Sequence, residues 1–389
     1  MYQTLAVAVL VLMLGAYLKS KIYFLEKFCI PAPVIGGLLF AIFTCICYTT
    51  GVAEFSFDDI LREVCMVFFF TSVGFQANLK VLRSGGKSLI LFLFLVIALI
   101  VSQNLLAVGI AKLLGLSPLV GMCTGSIPMV GGHGTAGAFG PVLEEAGVAG
   151  ANAVAIASAT FGLVAGCMIG GPLAYRRIHS LNLKSTETAT GSDEVTVDKN
   201  EVTGAIDSRR FLDSALYLAI AIGAGTIVSL FLNKLMTFPS YIGAMVVAAI
   251  IRNIVDATHK DMPMEEISTI GSFSLSLFLG LAMMGLKLWQ LAELALPMIV
   301  MLAAQTVLMA IFAYFVVFNL LGKNYDAAVM TSGFCGFGMG ATPNAMANMQ
   351  AITAKYGPAP TAYFVVPLVG SLFIDFFNAL IITTFMNFL

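Results

Sequence analysis

Charge is scarce in this chain. Only 11% of its 389 residues are Asp, Glu, Lys or Arg, while 59% are hydrophobic. A water-soluble domain carries roughly 25% and about 45–50% respectively, and the mean hydropathy of +0.96 also excludes a soluble surface. Histidine is rare: His133, His179 and His259 are the only three, too far apart in sequence to suggest a cluster. Seven cysteines are scattered along the chain, with only Cys45 and Cys47 close together. That excludes a metal spacing or disulfide framework and reads as small, buried, reduced residues. The first apolar run, Leu5 to Leu18, lacks the basic start and small-residue cleavage site of a signal peptide. It reads as a first membrane span. The net charge of −1 identifies no partner, because placement of charge matters more than its sum.

What the chain has in abundance is apolar runs of about 20 residues, enough to cross a hydrocarbon core of about 30 Å. They predict spans near residues 2–18, 32–51, 63–79, 88–111 and 151–175, then 211–232, 239–252, 267–286, 295–321 and 361–388. The expected fold class is an all-α polytopic membrane protein with two sets of five spans. Its expected organisation is an N-terminal repeat over 1–178, a polar cytoplasmic linker over 179–210 and a C-terminal repeat over 211–389. Sixteen of the 20 Lys and Arg residues fall in one set of loops and four (Arg62, Lys112, Lys234 and Lys287) in the other. By the positive-inside rule the richer set is cytoplasmic and both termini lie outside. An odd number of spans per half then sets the halves in opposite orientations.

The halves also share residues at an offset of 207: Ile35-Gly36 falls on Ile242-Gly243, Gly115 on Gly322, Thr124 on Thr331, Gly131 on Gly338 and Thr135 on Thr342. Two related halves of opposite topology make the inverted repeat of secondary transporters, whose site is expected at the repeat interface near the bilayer midplane.

Two glycine-rich segments interrupt this pattern. "SIPMVGGHGTAGAFGP" contains GxGxxG, but no strand is expected before it and no acid follows about 20 residues on, so a dinucleotide loop is excluded by context. The counterpart is "GFCGFGMGATPNAMANM". Each lies in a stretch of about 30 residues, near 117–145 and 325–354, which reads as a re-entrant hairpin broken at mid-depth. Thr342 is expected as an N-cap with Pro343 at the first helical position, and Thr135 as the equivalent cap. Helix N-termini at the two tips would suit an anion. The ends of the incoming arms, with unpaired carbonyls, would suit a cation such as Na⁺. Gly166, Gly170 and Gly171 read instead as small residues for close helix packing.

Apart from Arg252, the last residue of its span, no Lys or Arg lies inside a predicted span. Asp375 is the one acid deep in a span, with Asn378 on the same face, and such a group is a functional candidate. Gln103 and Gln305 occupy corresponding spans. Asn344 and Asn348 share a face of the second outgoing arm, and Ser126, Thr331 and Ser332 sit on incoming arms. For each of these, an interhelical hydrogen bond is the alternative to ligand contact. For His133 it is a hydrogen-bonded neutral imidazole.

From "PAPVIGGLL" through both hairpins to the final span, the sequence resembles the bacterial sodium/glutamate symporter family. The resemblance implies uptake of L-glutamate with Na⁺ across the inner membrane, an elevator-type cycle, a homodimer, and no cofactor beyond the coupling ion. On that reading, Gly132, His133, Gly134, Thr135, Thr331, Ser332, Gly340, Thr342, Pro343, Asn344, Asn348, Asp375 and Asn378 would surround the substrate. Ser126, Gly131, Gly338, Gln103, Gln305 and again Asp375 would serve Na⁺. The expected partners are L-glutamate, the lipid bilayer and a second copy of the chain, with no nucleic acid. A carrier of another di- or tricarboxylate is the alternative, and it would leave Asp375 without an ammonium to pair. An intramembrane enzyme is disfavoured. An aspartyl protease needs two carboxylates and one is present, and Ser126 and His133 lack a third partner.

Overall fold

A computed structural model describes residues 2–23, 25, 30–79, 86–185, 208–234, 239–258, 261–290 and 294–389. Most of the expected linker, residues 186–207, lies outside the described residues, as does His259. No strand occurs among those described.

The first half contains α1 (Tyr2–Lys21), α2 (Ala32–Thr49), α3 (Ile60–Gln76) and α4 (Gly86–Leu113). Three short helices follow, α5 (Pro118–Met122), α6 (Ser126–Met129) and α7 (Gly132–Glu145), and then α8 (Ala151–Ser180). The second half contains α9 (Ser208–Leu232), α10 (Ser240–Ala257), α11 (Met264–Met284) and α12 (Ala295–Leu320). It ends with α13 (Tyr325–Gly338), α14 (Thr342–Tyr356), α15 (Pro360–Leu372) and α16 (Ile374–Phe388).

Seven of these helices, α1, α2, α4, α8, α9, α11 and α12, are long and apolar enough to cross a membrane. The pair α15 and α16 makes an eighth if counted as one span. Helices α3 and α10 coincide with the other two expected spans but have 17 and 18 residues, at the lower end of what crosses.

The final span differs from expectation. Instead of one helix over 361–388, the chain breaks at Phe373 and bends by 48° between α15 and α16. Hydropathy alone cannot reveal such a break, because both halves are equally apolar.

Small residues set the helix spacing. A Cβ on Gly36 would lie 1.9 Å from the Val11 carbonyl, so α2 can approach α1 only through glycine. At the repeat offset, a Cβ on Gly243 would lie 2.2 Å from the Gly225 carbonyl, and α10 meets α9 in the same way. Gly115 and Gly322 also act alike, each with positive φ (72° and 110°) just before a glycine-rich segment.

The helices pack as two groups. In one, α1, α2 and α3 pack with α9, α10 and α11. In the other, α4 and α8 pack with α12, both glycine-rich segments and the α15–α16 pair. The groups meet where the glycines of α7 face α3 and α11. A Cβ on Gly134 would stand 3.4 Å from the Phe69 ring and 3.5 Å from Leu275, and one on Gly137 would stand 3.1 Å from Phe278.

Candidate functional site

Both glycine-rich segments are built of helices too short to cross. Helices α7 and α13 have 14 residues each and α14 has 15, about 21–22 Å of helix against a core of about 30 Å. Asn324 caps α13, its Oδ1 accepting from the Ala327 N–H at 2.8 Å. Ser117 caps α5 through the Leu119 N–H. At the tips the expected caps shift. The N-cap of α14 is Ala341 in extended backbone, with Thr342 already helical and Pro343 next, where its missing N–H is harmless. The N-cap of α7 is Gly131, so Thr135 lies one turn inside the helix. Three glycines between Val130 and Thr135 let the helix start earlier than its hydroxyl residue signals.

The two tips touch. Gly132 has φ +58°, and a Cβ there would stand 3.1 Å from the Gly340 carbonyl. Around this meeting point the amide side chains of α4, α12 and α14 are buried and tied to backbone. Gln103 Nε2 donates to the Gly338 carbonyl at 2.8 Å, and Gln305 Nε2 donates to the Gln103 carbonyl at 2.8 Å. Asn344 Nδ2 donates to the Leu163 carbonyl and Asn348 Nδ2 to the Gly166 carbonyl, both at 2.9 Å. Asn348 also reaches the Ser332 carbonyl at 3.2 Å. These bonds hold the second segment against α8, where Gly162 and Gly166 leave room for the Met339 and Cys335 carbonyls. Gly170 is also a close-approach residue, but a Cβ on Gly171 would meet open space, so Gly171 is not one.

A second group of polar atoms surrounds α6. Asn104 Oδ1 accepts from the Ser126 N–H at 2.8 Å, and Asn378 Nδ2 donates to the Ser126 carbonyl at 3.2 Å. After these bonds are counted, five of the buried side-chain oxygens without a partner among the described residues lie in these two groups, Gln103 Oε1, Ser126 Oγ, Gln305 Oε1, Asn344 Oδ1 and Asn378 Oδ1, beside one unpartnered donor, Asn104 Nδ2. An apolar interior leaves such groups unpaired only at a price of about 1–3 kcal/mol each. Oxygen ligands without a basic side chain beside them suit a hard monovalent cation better than an anion.

Other candidates are placed differently. The Thr331 hydroxyl donates to the Ala327 carbonyl of its own helix, and Ser332 Oγ donates to the Asn348 carbonyl at 3.4 Å. The Gly131 carbonyl accepts from the Thr135 N–H, and that of Gly338 is taken by Gln103, so neither incoming arm ends in a free carbonyl at those glycines. Buried His133 bonds Thr160 Oγ1 through Nε2 at 3.0 Å. The Thr160 hydroxyl also lies 3.1 Å from the Ile156 carbonyl. Gly134 faces the other helix group. Thr342 lies against Gly370 at the end of α15. Asp375 stands in the first turn of α16, beside the break, half-buried and with no hydrogen-bond or ion-pair partner among the described residues.

Two residues escaped the sequence reading. Asn104 directly follows Gln103 inside an apolar 28-residue helix, and two adjacent amides at that depth were the available signal. Thr160 carried none, since a lone threonine in a small-residue helix is ordinary.

Comparison with known proteins gives the family. The profile of the family described as "Sodium/glutamate symporter" matches residues 1–358. A sodium/glutamate symporter of Escherichia coli (strain K12) is 43% identical over 98% of this chain and 96% of its own length. One of Haemophilus influenzae is 38% identical over 97% and 95%. These relatives are named as transporters, not enzymes. The chain belongs to the sodium/glutamate symporter family.

Proposed function

We propose that this protein carries L-glutamate with Na⁺ inward across the bacterial inner membrane, by alternating access of the elevator type. The observation that carries the reading is the contact between the two glycine-rich tips, Gly132 against Gly340, beside buried oxygens that lack partners. Sub-membrane-length helices meeting at glycine support a pair of re-entrant hairpins, and the paired roles of Gly36 and Gly243 support the inverted repeat.

Glutamate brings two carboxylates and one ammonium. The first turns of α7 and α14, including Thr135, Thr342 and Pro343, offer helix N-termini to the carboxylates. Asp375 offers the ammonium or Na⁺ a negative charge at the α15–α16 break. Gln103, Ser126 and Gln305, with Asn378, offer neutral oxygens to Na⁺. No guanidinium lies in this interior among the described residues, so the co-transported cation supplies positive charge that the protein does not. Coupling then follows, because the substrate is held well only when the cation is present. The glycine-lined seam between the two helix groups supports movement of one past the other, since glycines present few side chains to interlock.

The test is uptake of labelled glutamate into proteoliposomes with an inward Na⁺ gradient, with aspartate, glutamine and citrate as competitors. Uptake that needs Na⁺ and is blocked by excess unlabelled glutamate but not citrate is expected. Uptake indifferent to Na⁺, or blocked best by citrate, would overturn the proposal.

A further inference from the structure

The end of α8 carries cations that the transport site does not use. Arg176 and Arg177 lie in its last turns, and Lys355 ends α14 beside them; none has an ion-pair partner among the described residues. They sit among tyrosines. The Arg177 guanidinium lies 3.7 Å from the Tyr314 ring centre and donates through Nη2 to the Tyr314 carbonyl at 2.6 Å. That carbonyl lies within a π-helical stretch, Phe312–Val317, where the helix ladder shifts register. Lys355 Nζ stands 5.4 Å from the rings of both Tyr175 and Tyr356. The Arg177 Nε is buried with no partner.

Cations and tyrosines at one helix end mark a membrane–water interface. Two apolar stripes lead to it. Phe161, Met168 and Tyr175 recur every seven residues along α8, and Val307, Ile311 and Phe315 every four along α12; all are exposed on the protein surface. An acyl chain fits such a track and a free soluble anion does not. We infer that this corner is a binding site for the headgroup of an anionic phospholipid, with Arg176 and Lys355 facing the phosphate and the two stripes holding the chains.

The test uses the full chain in detergent, with thermal unfolding followed as phosphatidylglycerol, phosphatidylcholine or inorganic phosphate is added. Phosphatidylglycerol should raise the midpoint, and the other two should not. R176Q/K355Q, which changes only exposed side chains, should lose at least half of that shift, while K112Q/K287Q, distant in sequence, should keep it. If the double variant folds poorly, R176Q alone serves. An equal shift in R176Q/K355Q, an equal loss in K112Q/K287Q, reproduction of the shift by inorganic phosphate, or no shift with phosphatidylglycerol would each overturn the inference.

Discussion

Asp375 and Gly132 show how single residues carry this site. Asp375 occupies the first turn of a helix that begins at a 48° bend and has no side-chain partner among the described residues. Hydrogen bonds to charged groups contribute about 1.5–3 kcal/mol, so Asp375→Asn should cut Na⁺-driven glutamate uptake about ten-fold or more. Its yield of folded protein should be near wild type. Normal kinetics in that variant would make Asp375 structural. Gly132 is different, because its backbone is left-handed and its Cα faces the Gly340 carbonyl. Left-handed backbone costs an L-residue about 1–2 kcal/mol. Gly132→Ala should therefore lower the unfolding midpoint and reduce uptake, whereas a change confined to uptake would contradict the strain argument.

The elements separate packing from capping. Helix α14 hangs on α8 through Asn344 and Asn348, whose amide N–H groups close two bonds to backbone carbonyls. Asn348→Leu would remove the side-chain bonds to the Gly166 and Ser332 carbonyls, a loss of about 0.5–1.5 kcal/mol for each. Thermal unfolding should detect it as a clear fall in midpoint, with transport lost in parallel. Asn324→Ala removes the cap of α13 at the surface end of the same segment, a loss of about 1 kcal/mol. It should lower stability without changing substrate preference. A larger effect on glutamate affinity from Asn324→Ala than from Asn348→Leu would reverse the proposed placement of the site. The helices themselves were legible in apolar run length. The bend at Phe373 was not, because nothing in "SLFIDFFNAL" breaks a helix by itself.

At the scale of the molecule, two helix groups face each other across α7, α3 and α11. A Cβ built on Gly137 would lie 3.7 Å from that of Ala282, within disulfide range. In a background lacking the seven native cysteines, oxidised G137C/A282C should link the groups and stop uptake, and reduction should restore it. Phe278, 3.1 Å from the Gly137 Cβ position, must give by a few tenths of an ångström, so the reduced variant serves as the reference. Undiminished uptake with complete crosslinking would remove the sliding movement from the proposal.

Composition and run length determined that this chain lives in a membrane, where its apolar stretches fall and which two segments are broken by glycine, because insertion into lipid depends on hydrophobicity summed along a local stretch. The candidate oxygens were legible too, since any polar residue inside such a stretch is conspicuous. Only the tertiary structure decided which of them meet. Asn348 finds Gly166 across 182 residues and Asn378 finds Ser126 across 252. It also decided that the first three helices of each half join each other, leaving the glycine-rich segments with α4, α8 and α12. Lipid rewards every apolar helix face about equally, so hydropathy cannot choose neighbours. Close backbone approach at glycine and the pairing of amides with carbonyls choose them, and both exist only once the helices are packed.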